Sequence, residues 1–274
     1  MRKLLRGKDV VEALRAQLQE TTKNMKKHTT LAIVLVAGDP ASNYYKNHLV
    51  KLAESIGVFT RVCQLEETAT TENVLNLFGK LNEDQAVDGV LPMLPFPKQI
   101  DTETVLAVLN PDKDIDCLTV KNAGLLYMGE NQWGPCTARA VMQTLAYYKV
   151  FLEGKHVVII GRSNVVGKPL IPMMLDKNAT VTICHSKTKN LVELARQADV
   201  LVAAVGKKDF VTPDMVKQGA VLIDVGINET ESGMVGDISA AANENAGAYT
   251  PVPGGIGTVS SMMVMETLLH KEKI

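Results

Sequence analysis

An excess of charge of either sign is the first thing this sequence lacks. Its 29 Lys and Arg stand against 30 Asp and Glu, a net charge of −1. That leaves no electrostatic footprint for a nucleic acid or an anionic membrane surface. Long apolar runs are missing too: none approaches the ~18 residues of a bilayer span, so no membrane partner is expected. Charge returns at Arg6, Lys8 and Asp9 before any apolar stretch develops, and no signal peptide is expected there. Cysteine is scarce. Cys63, Cys117, Cys136 and Cys184 are scattered and form no C-x-x-C pair, the pattern of reduced thiols in a cytoplasmic protein without a metal site. There is no internal repeat and no low-complexity segment. What is present is ordinary for a globular protein: 46% hydrophobic and 22% charged residues over 274 positions. That length suits roughly two domains of about 150 residues, each able to bury its own core.

The stretch that organises the chain is Val157-Val-Ile-Ile-Gly-Arg-Ser-Asn-Val-Val-Gly-Lys-Pro169. Four apolar residues ending in glycine read as a buried parallel strand. After the turn, Leu170 to Leu175 carry a helix-like apolar run. Strand, tight turn and helix N-terminus form the phosphate-cradling entry of a dinucleotide-binding βαβ unit. The pattern is G-x-S-x-x-V-G. Ser163 stands where a second glycine normally lets the backbone approach a pyrophosphate, and Val166 and Gly167 close the turn. An ordinary strand-to-helix turn is the alternative.

In NAD-binding folds an acidic residue ~20 positions further on holds the ribose 2′-OH. The next strand here ends Cys184-His-Ser-Lys-Thr-Lys189 with no carboxylate, and Arg162 sits in the glycine turn. Hydroxyl and cationic donors match a 2′-phosphate. NADP is therefore favoured over NAD, with a solvated basic loop as the plainer reading of the two lysines.

Taken in order, Val10, Val11, Leu14 and Leu18 predict an amphipathic helix over 9–27 with a Lys-rich end at Lys23, Lys26 and Lys27. Leu31 to Val36 is a buried strand, and Ser42 is the expected N-cap of a helix that runs to Ile56 and is closed by Gly57. Phe59 to Leu65 alternates as a strand, Glu72 to Leu81 is a helix, and Gly89 begins a strand that breaks into a proline-rich loop. Residues 110–139 read as irregular. Thr137 is the expected cap of a helix over Ala140 to Tyr148 that crosses between domains. Beyond Gly154 come strands at Val157–Ile160, Thr180–Cys184, Val200–Val205 and Val221–Val225. Helical segments follow at 190–198 and 213–218, and a final helix runs from Val259 to Lys271. Strands alternating with helices predict an α/β fold with parallel sheets, with ligands at the C-terminal ends of the strands.

Several blocks in order extend this reading. They are Gly38-Asp-Pro-Ala-Ser-x-x-Tyr45, Asp88-Gly-Val-Leu-x-x-Leu-Pro-x-Pro97, Pro111-Asp-Lys-Asp-x-Asp116 and Pro135-Cys-Thr137. Further on come Gly161-Arg-Ser-x-x-Val-Gly-x-Pro169, Cys184-His-Ser-Lys-Thr188, Ile223-Asp-Val-Gly-Ile-Asn228 and Thr250-Pro-Val-Pro-Gly-Gly-x-Gly257. With them the chain resembles, over essentially its full length, the methylenetetrahydrofolate dehydrogenase/methenyltetrahydrofolate cyclohydrolase family. The resemblance implies a catalytic N-terminal α/β domain over 1–139, completed by a C-terminal helix at 259–274. It also implies a Rossmann-type NAD(P)-binding domain over 140–258, with folate in the cleft between them. It implies a homodimer as well.

Carried over by position, Tyr45 stacks on the aminobenzoyl ring of the folate and Asp116 anchors the pterin. Met93 and Leu94 lie in the folate loop, and Pro253, Gly254 and Gly257 line the folate side. Gly161, Arg162, Ser163, Val166, Gly167, His185, Ser186, Gly206 and Ile227 hold the dinucleotide. From the residues alone, Tyr45 also reads as a half-buried helix aromatic, Asp116 as a turn former, and the Pro/Gly run as a bend.

Two departures bear on activity. The family pattern Tyr-x-x-x-Lys places both side chains on one helix face, but here Leu49 follows Tyr45 at that spacing, and Lys46 and Lys51 point away from that face. The family's Leu-x-Gln-Leu-Pro reads Leu91-Pro-Met-Leu-Pro95, so Met93 replaces the glutamine. Hydride transfer from methylenetetrahydrofolate needs no proton removed, and positioning suffices. Hydrolysis of the methenyl product is general acid–base work suited to a desolvated lysine. The expectation is an NADP-dependent dehydrogenase of one-carbon metabolism, with Tyr45 and Asp116 as the remaining catalytic-site residues and weak or absent cyclohydrolase. Smaller departures are Cys117-Leu118 for Gly-Phe, Ala138, and Thr258-Val259 for Pro-Met; these crowd the folate side and leave the dinucleotide side intact. The alternatives are a bifunctional enzyme, a non-catalytic dinucleotide-binding paralogue, and the same hydride chemistry on another substrate.

Overall fold

The computed structural model describes residues 2–25, 27–130, 133–231 and 233–271. Lys26 of the expected lysine cluster, and residues 272–274 of the expected closing helix, lie outside them. The chain divides into two α/β units. The larger comprises residues up to Ala13 with Leu126–Met263, and the smaller comprises Leu14–Leu125 with the chain from Val264 on.

The smaller unit is built on three parallel strands in the order Phe59–Leu65, Thr30–Val36, Gly89–Pro92. Its central strand is paired on both sides, and every residue from Leu31 to Val36 is buried. Burial on both faces is why that segment is continuously apolar rather than alternating. Val74, Phe78 and Leu81 of the helix Thr71–Glu83 pack against Ala32, Val34 and Val36. Each aliphatic side chain so buried contributes roughly 1.5–3 kcal/mol. Thr70 and Asn73 start that helix with reciprocal side-chain bonds, a capping box. Gly89 has no room for a side chain: a Cβ there would lie 2.4 Å from Ile115 Cδ1 and 2.6 Å from Leu268 Cδ1.

Some local expectations are corrected here. Asp39, not Ser42, caps the helix Pro40–Ser55. Its carboxylate accepts from the N–H of Ala41 at 3.2 Å and of Ser42 at 2.9 Å. Proline at the first helical position, which has no N–H to satisfy, moves the start forward. Gly57 follows the helix with φ of +80°, the left-handed stop that glycine adopts freely. Residues 110–139 are not wholly irregular, because Val120–Tyr127 is a helix. A short helix at Thr102–Ala107, capped by Asp101, also escaped the apolar pattern.

The larger unit holds a six-stranded, all-parallel sheet. Its order is Lys3–Leu4, Ala248–Tyr249, Val221–Asp224, Val200–Ala203, His156–Ile160, Thr180–Cys184. Val158, Ile160, Leu201, Ala203 and Leu222 join one core cluster on one face. Their neighbours Val157, Ile159, Val202 and Ile223 are equally buried and point to the other face by the two-residue period. The helix expected at Ala140 starts earlier, at Cys136, and ends at Tyr147. Pro135 is its cap residue and no side chain caps it, since the fixed φ of proline sets the entry. It lies whole within the larger unit rather than crossing between units. The guanidinium of Arg139, in the first turn of this helix, lies 4.9 Å from the centre of the ring of Trp133, which precedes the helix. At 213–218 only a single turn, Pro213–Met215, forms, because Val216 is already extended and buried in the core. An antiparallel hairpin, Asn228–Thr230 with Gly233–Val235, was not expected from the sequence.

Candidate functional site

Strand order places the site in the larger unit. From His156–Ile160 the chain passes to Thr180–Cys184 on one side, then to Val200–Ala203 on the other. The order therefore reverses at the carboxyl end of His156–Ile160, the place where open parallel sheets bind ligands. Gly161 occupies it with φ of +128°, and a Cβ there would sit 2.2 Å from the Ala204 carbonyl oxygen. Gly167 opens the helix Gly167–Leu175 equally tightly, with a hypothetical Cβ 2.0 Å from the Gly161 oxygen. The two glycines let strand, turn and helix N-terminus close on one another.

Between them, Arg162, Ser163 and Asn164 are exposed, while Val166 is buried. The Ser163 hydroxyl accepts from the Val166 N–H at 3.2 Å, which shapes the turn that a second glycine would otherwise make. On the flank, Gly161 N–H donates to the Cys184 carbonyl at 2.9 Å and fixes the loop that follows Thr180–Cys184. In that loop the His185 N–H donates to Thr188 Oγ1 at 2.8 Å, and His185 Nδ1 accepts from the Lys187 N–H at 3.1 Å. The neutral ring therefore carries its proton on Nε2. Ser186, Lys187 and Lys189 are exposed. Among the described residues, Arg162, Lys187 and Lys189 form no ion pair.

On the other flank lies a feature that the sequence reading missed. Asp237 is fully buried. It accepts from the N–H groups of Val205 at 2.6 Å, Gly206 at 3.0 Å and Lys207 at 2.8 Å, and from Asn228 Nδ2 at 3.0 Å. Asp224, also buried, accepts from the N–H groups of Gly226, Asp237 and Ile238 at 2.9–3.0 Å. Burial pushes the Asp224 carboxyl up to about 6; its backbone hydrogen bonds oppose this, and the nearby Asp237 adds to it. The signal was available in Gly226 and Gly236. A Cβ at either would lie 2.1 Å from Asp237 Cγ or 2.0 Å from Asp224 Oδ2.

Of the residues expected on the folate side, Pro253, Gly254 and Gly257 are exposed in the larger unit. The Gly254 carbonyl accepts from the Gly7 N–H at 2.8 Å. A Cβ on Gly257 would come within 3.4 Å of Ile227 Cδ1, so a residue expected to touch folate adjoins one expected to touch the dinucleotide. Ile227 is 56% exposed.

Tyr45, Met93, Leu94 and Asp116 belong to the smaller unit. Tyr45 and Asp116 are half-buried, Leu94 is exposed, and Met93 is buried with its N–H on the Val34 carbonyl at 2.7 Å. Leu49, one helical turn beyond Tyr45, is fully buried, whereas Lys46 Nζ reaches Asn43 Oδ1 at 3.2 Å. The loop of Asp116 is held by buried Asp114, which accepts from Leu118 N–H at 3.0 Å, Thr119 N–H at 2.9 Å and Asn122 Nδ2 at 3.0 Å. Cys117 takes φ of +54° there, the conformation open to the family's glycine and costly, by roughly 1 kcal/mol or more, to other residues. Among the described residues no cluster of His, Cys, Asp or Glu has the arrangement of a metal site, and no helix is long and apolar enough to cross a membrane.

A parallel sheet whose order reverses beside a glycine turn, flanked by an exposed cationic loop, defines a doubly wound dinucleotide-binding fold, here joined to a second α/β unit. Residues 135–274 match the NAD(P)-binding domain of tetrahydrofolate dehydrogenase/cyclohydrolase, and residues 5–116 match its catalytic domain. The chain belongs to the tetrahydrofolate dehydrogenase/cyclohydrolase family. It is 43% identical over 277 residues to the bifunctional protein FolD of Staphylococcus aureus, covering 99% of this chain and 97% of that one. Among solved structures it is similar to the bifunctional FolD methylenetetrahydrofolate dehydrogenase/cyclohydrolase of Campylobacter jejuni. The TM-score is 0.96 at 38% identity, over 100% of this chain and 99% of that one. It is also similar to the Trypanosoma brucei enzyme complexed with NADP cofactor and inhibitor, with a TM-score of 0.93 at 30% identity over 99% and 97% of the two chains.

Proposed function

We propose that this chain oxidises 5,10-methylenetetrahydrofolate to 5,10-methenyltetrahydrofolate with NADP as hydride acceptor, and that hydrolysis of the methenyl product is weak or absent. One observation carries the second half. The positions that hold lysine and glutamine in the family are Leu49, fully buried, and Met93, 6% exposed. Neither offers an amine or an amide to an attacking water.

The residues present fit NADP. The Gly161 turn exists only because a Cβ is missing, and Arg162 to Asn164 are exposed residues of the turn that leads into the helix Gly167–Leu175. Arg162, Ser186 and Lys187 supply donors for a 2′-phosphate, and the loop 185–189 has no carboxylate that would favour a plain ribose. The NADP in the Trypanosoma brucei relative supports the same choice. When bound, the cofactor supplies the hydride acceptor. The electrons that expel hydride come from the nitrogens of the substrate, so no residue removes a proton and the chain's task is orientation.

Gly161, Arg162, Ser163, Val166, Gly167, His185, Ser186, Gly206 and Ile227 are the proposed cofactor-binding residues. Tyr45 is proposed to stack on the aminobenzoyl ring, with Met93 and Leu94 as apolar walls. Asp116 is proposed to accept from the donor edge of the pterin, and Pro253, Gly254 and Gly257 to line the folate side of the larger unit. Residues 1–139 with 259–274 then form the catalytic domain, and 140–258 the cofactor domain. The active species is a homodimer.

The test follows both reactions on the purified chain. Methylenetetrahydrofolate is supplied with NADP and separately with NAD, and methenyltetrahydrofolate is supplied alone against a no-enzyme control. Reduced NADP with accumulating methenyl product, and hydrolysis at the control rate, is the expected result. Hydrolysis well above the control would establish the bifunctional reading, which the Staphylococcus aureus relative favours. Absence of reduced cofactor with either dinucleotide would overturn the dehydrogenase assignment.

A further inference from the structure

Three consecutive N–H groups pointing at one spot make an anion-binding nest. Where such a nest lies at the carboxyl end of a central parallel strand, the anion is commonly a ligand phosphate. The strand Val200–Ala203 ends in such a nest: the N–H groups of Val205, Gly206 and Lys207 converge within 2.6–3.0 Å of one carboxylate. That carboxylate belongs to the chain itself. We infer that Asp237 is the built-in anion of this nest and a positioning residue for the dinucleotide, an inference that rests on the dinucleotide-binding reading above.

The chain is shaped around this anion. Gly226 leaves the space into which the Asp237 carboxylate fits, since a Cβ there would lie 2.1 Å from its Cγ. Asn228 closes the far side through its side-chain amide at 3.0 Å. Asp224 holds Asp237 from behind, accepting its N–H at 2.9 Å, and the N–H of Asp224 donates to Thr250 Oγ1 at 2.8 Å. The held loop bears directly on the glycine turn, because the Ala204 carbonyl is the atom that Gly161 can approach only without a Cβ. Asp237 therefore sets the wall against which the Gly161–Gly167 turn rests, without touching the cofactor. A second consequence is one of specificity. With the N–H groups of residues 205–207 paired to Asp237, the Arg162–Gly167 turn rather than this nest would offer backbone donors to a pyrophosphate.

The experiment compares the full chain with Asp237→Ala, Asp237→Asn and Asn228→Ala. Dissociation constants for NADP are read by titration, and amide hydrogen exchange is read over residues 204–208, with and without added formate. In Asp237→Ala we expect exchange in the loop to rise and the NADP dissociation constant to increase at least tenfold. Formate, a carboxylate small enough for the vacated nest, is expected to reverse both partly while leaving the unaltered chain unchanged. Asp237→Asn is expected to weaken binding without formate rescue, because its side chain still occupies the nest. Asn228→Ala, which keeps the carboxylate, is expected to weaken binding two- to threefold, and it carries the test if Asp237→Ala fails to fold. An unchanged NADP dissociation constant in a folded Asp237→Ala protein, or in Asn228→Ala when Asp237→Ala does not fold, overturns the inference. A loop already exchanging freely in the unaltered chain does so as well. If the unaltered chain binds no NADP while its loop is protected, the dinucleotide reading fails and the positioning role falls with it. The separate measurements tell the two failures apart.

Discussion

A lysine at Leu49 would bring its ammonium into a position with no exposed surface. Alone, it should destabilise the fold by about 2–4 kcal/mol, the scale for an unpaired buried charge that relieves itself by losing its proton. Met93→Gln restores the second polar residue of the family pattern. We predict that Leu49→Lys/Met93→Gln hydrolyses methenyltetrahydrofolate at least tenfold faster than the unaltered chain, with dehydrogenase turnover within about threefold. Paired absorbance assays of the two reactions check this, and a folded double variant that hydrolyses no faster would refute the role given to these positions. At this scale the sequence was informative where the residue type itself speaks: leucine for lysine is visible in the string. It was silent on Asp237, because a Gly-Asp pair reads as a turn until Gly226, eleven positions earlier, is seen to face the same carboxylate.

Elements were legible wherever burial is two-sided. Leu31–Val36, Val157–Ile160 and Val221–Asp224 declare themselves as apolar runs because helices or loops cover both faces of each strand. The helix Val120–Tyr127 does not, since Val120 is 89% exposed and the segment begins beside Asn122, which is held by Asp114 from an earlier loop. Its start depends on a tertiary hydrogen bond, and no periodicity encodes that. The helix Pro40–Ser55 carries Tyr45 and begins at Asp39, which has the Ser42 hydroxyl and two backbone N–H groups on its carboxylate. Those bonds hold that carboxyl below the usual aspartate range. Asp39→Ala should fray the first turn and lower helix stability, since the N–H groups of Ala41 and Ser42 lose their acceptor. The Michaelis constant for the folate substrate should rise severalfold while the NADP dissociation constant stays unchanged. A parallel rise in both would place the effect elsewhere.

Two units with separate sheets are not expected to unfold as one, and the larger carries its own pH dependence. An aspartate in an unfolded chain titrates near ~3.9, whereas folded Asp224 is pushed up to about 6 by burial. The fold therefore binds that proton more tightly than the unfolded chain does. The stabilisation is full below about pH 4 and is lost as pH rises through about 6, amounting to about 3 kcal/mol. Asp199 acts in the opposite sense. Lys217 at 2.7 Å and the His156 N–H lower its value, so its contribution holds above about pH 4 and disappears in stronger acid. Resistance of the larger unit to denaturant should accordingly fall between pH 5 and pH 7.5 in the unaltered chain, a slope that Asp224→Asn removes. An identical slope in both proteins would show that another group is responsible.

The chain has a single tryptophan, Trp133, in the larger unit beneath the Arg139 guanidinium. Its optical signal is thus that of one indole ring. Excited on its red edge, where tyrosine does not absorb, emission comes from one place at the start of the Cys136–Tyr147 helix. The smaller unit, with two tyrosines (Tyr44 and Tyr45) and no tryptophan, stays dark. A change in that emission during titration or unfolding is a report from the larger unit, obtained without attaching any label.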